Sequence, residues 1–124
     1  MGTSISQVLF GLSSLILAIG GLMHAKAFGN TVGAIAASDL PPFYGNSLKA
    51  LWLIDSATLL VLSVIFAVLT ARPVLIGRPL IVLLAQIPAA TALFRYKFLG
   101  AFLAAHMLAT AAVAAILGSL WLRG

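Results

Sequence analysis

SLKALWLIDSATLLVLSVIFAVLT, residues 47–70, is an apolar run long enough to cross a lipid bilayer. Its first third nevertheless carries Lys49, Trp52 and Asp55. An ionisable group within such a run costs about 2.5–3.5 kcal/mol on insertion scales, so it persists only where it has a partner or a use. The stretch therefore predicts a membrane helix with a polar site near one end.

The composition of the whole chain is that of a membrane protein. Of its 124 residues, 63% are hydrophobic and 7% are charged, whereas a soluble domain carries about 25% charged residues. The net charge of +5 comes from basic residues scattered between apolar runs, which is typical of membrane-flanking loops and not of a nucleic-acid surface. The absence of cysteine excludes disulfides, thiolate metal sites and cysteine nucleophiles. We expect the lipid bilayer, and no nucleic acid, to be the chain's partner.

Charged and turn-forming residues divide the chain into four apolar runs. We expect helices at residues 4–25, 47–70, 79–94 and 98–121, with a long first loop at 26–46. The first run has no basic segment before it, which favours a retained membrane helix over a signal peptide. Because the other connections are short, the sequence predicts an all-α fold, a single membrane domain over 1–124 built as an antiparallel up-and-down bundle of four transmembrane helices.

Small and polar residues of the first run repeat every seven positions. One row consists of Ser6, Ser13 and Gly20, and the row beside it of Gln7, Ser14 and Gly21. Seven residues are nearly two helical turns, so both rows lie on one stripe. Because small residues allow helices in a membrane to pack closely, we expect this stripe to face the bundle interior.

The first loop is longer than a hairpin needs. Its middle, TVGAIAAS, predicts a short helix on the membrane interface that ends before Pro41 and Pro42. Asn46 or Ser47 is the expected N-cap of the second membrane helix. The loop has the length to fold over the end of the bundle as a lid.

Antiparallel threading places both acids and both histidines in the half that holds the first and third connections. The sequence predicts a cup that opens at this end. Its floor is formed by Gln86 and by His106 at a depth of roughly 12–14 Å, its walls by His24, Trp52 and Asp55, and its rim by the lysines and Arg95. The basic residues there are Lys26, Lys49, Arg95 and Lys97, against the two acids Asp39 and Asp55, and this excess favours an anionic or polar-headed ligand.

The leading hypothesis is a pocket within the membrane that binds, and could transport, a small amphipathic or anionic molecule. The expected ligand-binding residues are His24, Lys49, Trp52, Gln86, Arg95 and Tyr96, with Asp55 and His106 as protonatable groups. The alternative is an enzyme in which His106 and Asp55 form a catalytic acid–base pair acting on a lipid-like substrate. The residues name no cofactor and no metal site, and the unequal predicted depths of the two histidines argue against haem ligation by both.

A third hypothesis is a structural or accessory subunit of a membrane complex. The small-residue stripe, together with an alanine ridge in the fourth run, would then bind partner helices or a second copy of the chain. Each polar candidate also has a structural interpretation. Asp55 can pair with Lys49 or Arg95 to fix helix orientation, and His106 can hydrogen-bond to a neighbouring helix.

In outline the chain resembles the DoxX-like family of small four-helix bacterial membrane proteins. The shared features are a glycine-rich first helix, a proline-bearing first loop, a polar residue early in the second membrane helix and an Arg-Pro turn. The resemblance implies a four-helix membrane fold and assigns no role to any residue. We expect an integral protein of the bacterial cytoplasmic (inner) membrane.

Overall fold

The computed structural model describes residues 4–122 of the chain. The helices of this part are α1 (Ile5–Lys26), α2 (Phe28–Ala36), α3 (Pro42–Ala71), α4 (Arg78–Leu99) and α5 (Leu103–Leu120). Four spans are long and apolar enough to cross a membrane: α1, which α2 continues, and α3, α4 and α5. The protein is therefore a small four-span membrane protein with an all-α bundle, as the sequence predicted.

The second membrane helix begins at Pro42 and not at residue 47. Pro41 is its N-cap residue, and Pro42 occupies the first helical position, where a missing N–H is tolerated because it would have no partner within the helix. The expected N-cap at Asn46 or Ser47 was wrong. The Ser47 hydroxyl lies inside α3 and donates to the Phe43 carbonyl at 2.7 Å.

The turn between α4 and α5 also differs from expectation. α4 continues to Leu99, past residue 94, and Gly100 then adopts a φ of 81°, a conformation that favours glycine and ends the helix. α5 begins only at Leu103, so His106 is the fourth residue of this helix. The prediction that His106 lies 12–14 Å deep was therefore wrong, because the fourth run is not helical from residue 98 onwards.

One row of α1 packs on α5. The hydroxyls of Ser6 and Ser13 donate to the carbonyls of Gly118 and Ala111, each at 2.9 Å. Donors and acceptors both follow a seven-residue spacing, and the acceptors run in the opposite direction along the chain. α1 and α5 are therefore antiparallel and in register, and both serines are buried.

The second row of α1 packs on α3 in the same manner. The Gln7 amide donates to the Thr70 carbonyl at 2.9 Å, and the Ser14 hydroxyl donates to the Ser63 carbonyl at 2.7 Å. The Ser63 hydroxyl returns a hydrogen bond to the Ser14 carbonyl at 2.9 Å. The predicted stripe thus faces the interior, and its two rows bind two different helices.

The order of packing places α1 and α5 in the centre of the bundle. α1 packs closely against α3 and α5, and α4 packs against α5. α3 and α4 approach each other less closely than these pairs. The core between the helices is formed by large side chains such as Phe10, Leu17 and Phe66 and by the alanines of α5.

The short helix predicted in the first loop is present as α2 and packs on the start of α3. Gly45 faces Ile35 so closely that an added Cβ would lie 2.9 Å from Ile35 Cγ2. α2 therefore rests beside the end of the bundle that holds the connection from α4 to α5, since the chain reverses direction at each membrane helix.

Candidate functional site

Three ionisable side chains from three helices meet at this end of the bundle. Asp55 of α3 accepts a hydrogen bond from Nη2 of Arg95 on α4, and its carboxylate lies 3.3 Å from Nε2 of His24 on α1. The side chains of His24, Asp55 and Arg95 are 17%, 25% and 15% exposed. The opposite charges of Asp55 and Arg95 compensate each other, as partly buried charges in a membrane require.

His24 is held by contacts on every polar atom of its ring. Its Nδ1 lies 2.7 Å from the Ser56 hydroxyl, and the ring stacks on Trp52 with centroids 3.9 Å apart and an interplanar angle of 13°. The indole N–H of Trp52 donates to the His24 carbonyl at 2.7 Å. Histidine and tryptophan therefore form one rigid unit across α1 and α3.

This arrangement accommodates His24 in both protonation states. The Asp55 carboxylate only accepts, so Nε2 carries the proton that faces it. The single Ser56 hydroxyl proton can go to the Trp52 carbonyl, 3.1 Å away, and Nδ1 then donates to Ser56 as part of an imidazolium. Alternatively the hydroxyl donates to Nδ1, and the imidazole is neutral. A change of state needs only a rotation of the Ser56 hydroxyl.

A cavity of about 310 Å³ lies next to this cluster, among α1, α3, α4 and the first two turns of α5. Its polar side chains within the described residues are His24, Trp52 and Arg95, and the rest of the lining is apolar. The volume is at the lower end of the range for small-molecule sites, about 300–1,000 Å³. The surface of the cavity is therefore almost entirely apolar, and its three polar side chains belong to the charged cluster at one end.

The structure brings together four of the side chains that the sequence singled out. His24, Trp52 and Arg95 line the cavity, and Asp55 lies behind them as the shared partner of His24 and Arg95. They converge because antiparallel threading places the end of α1, the first half of α3 and the end of α4 at one level. The predicted walls and part of the predicted rim are thus adjacent in space.

The other predicted site residues lie elsewhere. Gln86 is exposed and donates to the Val82 carbonyl of its own helix at 3.1 Å. His106 is exposed and shares a hydrogen bond of 2.7 Å with the Tyr96 hydroxyl. None of these residues lines the described cavity, and neither does Lys49. The catalytic pairing of Asp55 with His106 stays a prediction that these contacts do not support.

Sequence reasoning missed the apolar part of the site. Gly20 of α1 and Met107 of α5 line the cavity, and a Cβ added at Gly20 would still lie 3.9 Å from Met107 Cε. Gly20 is the position at which the row of Ser6 and Ser13 loses its side chain. A seven-residue row that ends in glycine was therefore the available signal for open space between the two helices.

A second cavity of about 450 Å³ lies at the opposite end of the bundle. Its described lining includes Ser4, Pro73 and Trp121 and contains no ionisable side chain. It adjoins the chain ends, where residues 1–3 and 123–124 fall outside the described range. The cavity beside the charged cluster is the stronger candidate, because an ionisable residue inside a membrane protein is by default the mark of a functional site.

Comparisons with protein-family models, with curated proteins and with solved structures find no match to this chain.

Proposed function

We propose that the protein, as an integral component of the bacterial cytoplasmic membrane, binds a small amphipathic molecule in the cavity between α1, α3, α4 and α5. One observation carries this proposal: the polar side chains of the cavity are confined to one end of an apolar space. A polar head would lie against Arg95, His24 and Trp52. An apolar tail would extend toward Leu59 and Leu108, which also line the cavity.

The volume of the cavity supports a ligand of modest size. At about 30 Å³ for each water-sized group, a space of about 310 Å³ holds roughly ten such groups. A single chain of about eight carbons with a compact head has this size. A two-chain phospholipid is several times larger, so only part of one would enter.

The head, more than the tail, would determine selectivity. Transfer of a methylene group from water to an apolar site is worth about 0.8 kcal/mol, but an amphiphile already dissolved in lipid has left water. Burying its tail in the cavity then gains little, for the reason that apolar contact does not drive helix association in membranes. Discrimination among ligands therefore has to come from the polar end of the cavity.

The two tryptophans of the chain provide a direct test. Trp52 lines the proposed site and Trp121 lies at the opposite end of the bundle, so Trp121→Phe and Trp52→Phe each leave one reporter. Each variant is placed in nanodiscs of uncharged lipid and titrated with octanol that carries bromine on its second carbon, next to the polar head that the proposal places against Trp52. Bromine quenches indole emission on contact. We expect saturable quenching of Trp52, reversed by unbrominated octanol, and weak linear quenching of Trp121.

Two results would overturn the proposal. Linear, non-competed quenching of both tryptophans by alcohol, sulfonate and ammonium derivatives of the same tail would mean partition into lipid without a site. Saturable quenching of Trp121 alone would move the binding site to the other cavity.

A further inference from the structure

Arg95 supplies the spare hydrogen-bond donors at the cavity. A guanidinium carries five N–H donors, and within residues 4–122 its one recorded partner is the Asp55 carboxylate. The other polar groups of the lining are engaged: the Trp52 N–H binds a carbonyl, and both nitrogens of His24 have partners. The polar head of a ligand must therefore supply hydrogen-bond acceptors, because the groups that remain free at the cavity are donors.

The unused nitrogens of Arg95 are not sealed off by protein. Arg95 lines the cavity, and among the described residues no fully buried side-chain nitrogen or oxygen lacks a partner, so these nitrogens retain accessible surface. The first turn of α5 adds a weaker positive electrostatic potential to that of Arg95. No side chain caps this turn, and its residues Leu103 and Ala104 line the cavity, so its N–H groups also favour negative charge nearby.

An anionic head would disturb the charge balance of the cluster. Arg95 and Asp55 already neutralise each other, and an added anion would leave one uncompensated negative charge in a region of low dielectric. A proton on His24 restores neutrality. The imidazole can take this proton without moving. The Ser56 hydroxyl can donate to Nδ1 or accept from it, and Asp55 faces Nε2 in both cases.

His24 is the ionisable group best placed to take this proton. Asp55 faces it from α3, and Arg95 approaches the same carboxylate from α4. α2 contains no ionisable residue, and His106, the ionisable residue of the described part of α5, bonds to Tyr96. The remaining charged residues at this end, which form no ion pair in the described part of the chain, are Lys26, Asp39, Lys49 and Lys97.

We propose that the cavity takes up single-chain anionic amphiphiles, with a carboxylate, sulfonate or phosphate head, together with one proton held by His24. This inference rests on the proposed function and names its ligand class and its linked ion. The anion would bind the free donors of Arg95 while Asp55 keeps its contact with the protonated imidazole. The occupant is a free single-chain acid, since the cavity is too small for a whole phospholipid.

The experiment uses the Trp121→Phe protein in uncharged nanodiscs, with Trp52 as the reporter. The ligand is octanesulfonate with bromine on its second carbon, next to the head. Its sulfonate group stays ionised throughout, so any pH dependence belongs to the protein. Brominated octanol is the neutral control with the same tail. We expect the sulfonate Kd to rise with pH, by at most about tenfold for each unit, the limit for one linked proton, and the octanol Kd to stay constant.

Three variants separate the roles of the cluster residues. His24→Gln should make sulfonate binding weak and independent of pH. Asp55→Asn removes the negative charge that the proton offsets, so sulfonate should bind tightly at all pH values between about 5 and 8, the range in which histidine ordinarily titrates. Arg95→Gln should abolish the preference for sulfonate over octanol. Lys97→Gln, which removes a cation two residues away on an exposed side chain, is the matched control and should change nothing.

Proton uptake by the protein with Asp55, His24 and Arg95 intact gives a readout that does not depend on any variant folding. In weakly buffered solution we expect close to one proton taken up for each sulfonate bound. No uptake, equal binding of sulfonate and octanol, or a pH dependence that survives in His24→Gln would overturn the inference. The proposed function would then still stand on octanol binding, and it would fail only if no amphiphile quenches Trp52 in a saturable way.

A further arm distinguishes a free acid from a lipid headgroup. Adding an anionic phospholipid to the nanodiscs should lower the sulfonate affinity by less than about twofold, in the parent protein and in Lys97→Gln alike, since exposed charges contribute little. Strong competition by the anionic phospholipid would overturn the choice of a single-chain ligand.

Discussion

The two ends of the bundle use arginine in opposite ways. At the end that holds the turn from α3 to α4, Arg78 donates to the carbonyls of Ser119 and Leu122 at 2.8 and 3.0 Å. Ser119 belongs to the last turn of α5 and Leu122 lies just beyond it. At the other end, Arg95 binds the side chain of Asp55 beside a cavity. The first arginine completes the fold, and the second leaves donors that the fold does not use.

The remaining polar contacts repeat this difference. Ser6 and Gln7, near the start of α1, donate to backbone carbonyls of the neighbouring helices. His24, near the end of α1, contacts the side chains of Ser56 and Asp55 and stacks on Trp52. A backbone carbonyl is fixed in place by its helix, so a hydrogen bond to it persists while the helices remain packed. Side chains in a cluster can rotate, and one of them can leave its partner and bind a ligand instead. The comparison therefore separates a structural end from the end at which we propose binding, called the binding end below.

The largest effect should follow from Arg95→Gln. Hydrogen bonds to charged groups contribute about 1.5–3 kcal/mol, so we expect the affinity for brominated octanesulfonate to fall by roughly 10- to 150-fold. Quenching of Trp52 measures the change, and circular dichroism checks that the helices remain. A fall of the same size in Lys97→Gln would mean that surface charge, and not the cavity, attracts the anion.

Gly118→Ala should destabilise the close contact between α5 and α1. An added Cβ would lie 2.8 Å from Phe10 Cε1, and Phe10 is fully buried. Overpacking of this kind costs about 1–3 kcal/mol, to be measured as the free energy of unfolding in mixed detergent micelles.

The matched control is Gly20→Ala at the cavity end, where the nearest atom to an added Cβ is Met107 Cε at 3.9 Å. Alanine is the better helix former by about 1 kcal/mol, so this variant should be as stable as the parent or slightly more so. Equal destabilisation by the two alanines would contradict the difference in packing between Gly118 and Gly20.

Arg78→Gln should lower the free energy of unfolding by about 1 kcal/mol, the usual net value of a hydrogen bond, because it frees carbonyls at the end of α5. Octanol binding at Trp52 should not change, since Arg78 lies at the opposite end of the bundle from Trp52. If Arg78→Gln lost octanol binding and kept its free energy of unfolding, Arg78 would belong to a binding site, and the roles that we assign to the two ends would be wrong.

The smallest effect is expected from Ser14→Ala. Its hydroxyl bonds to Ser63 across α1 and α3, and such bonds between membrane helices contribute about 0.6 kcal/mol on average. Ser47→Ala is the control, because its hydroxyl bonds within its own helix and its loss should leave the unfolding free energy unchanged. If Ser14→Ala and Ser47→Ala changed the unfolding free energy equally, the hydrogen bond from Ser14 would not stabilise the packing of α1 on α3.

The part of the site that could be predicted from sequence is the part that helix depth determines. His24, Asp55 and Arg95 lie near the ends of apolar runs, so antiparallel threading alone places them at one level. The seven-residue rows of α1 likewise predicted which face is buried, because serine and glycine on a membrane helix favour close packing. Assigning each row to its own neighbour required the structure.

The position of His106 could not be predicted because the start of α5 depends on a local backbone conformation. The positive φ of Gly100 separates α4 from α5, and the sequence around residue 98 reads as one apolar run. The face of α5 was also ambiguous. Its buried residues, among them Ala105, Ala112 and Ala114, lie on several sides of the helix, so alanine content did not indicate the direction in which His106 points.

The contact between α3 and α4 at Asp55 and Arg95 tests the whole arrangement most directly, because these residues are 40 positions apart in sequence. We would measure unfolding free energies for Asp55→Asn, Arg95→Gln and the double variant, with Asp55→Asn and Arg78→Gln as the matched distant pair. We predict a coupling of about 1 kcal/mol or more for the first pair and additivity within about 0.3–0.5 kcal/mol for the second. Additivity in both pairs would mean that the acid and the arginine do not meet, and that the binding end does not exist as described.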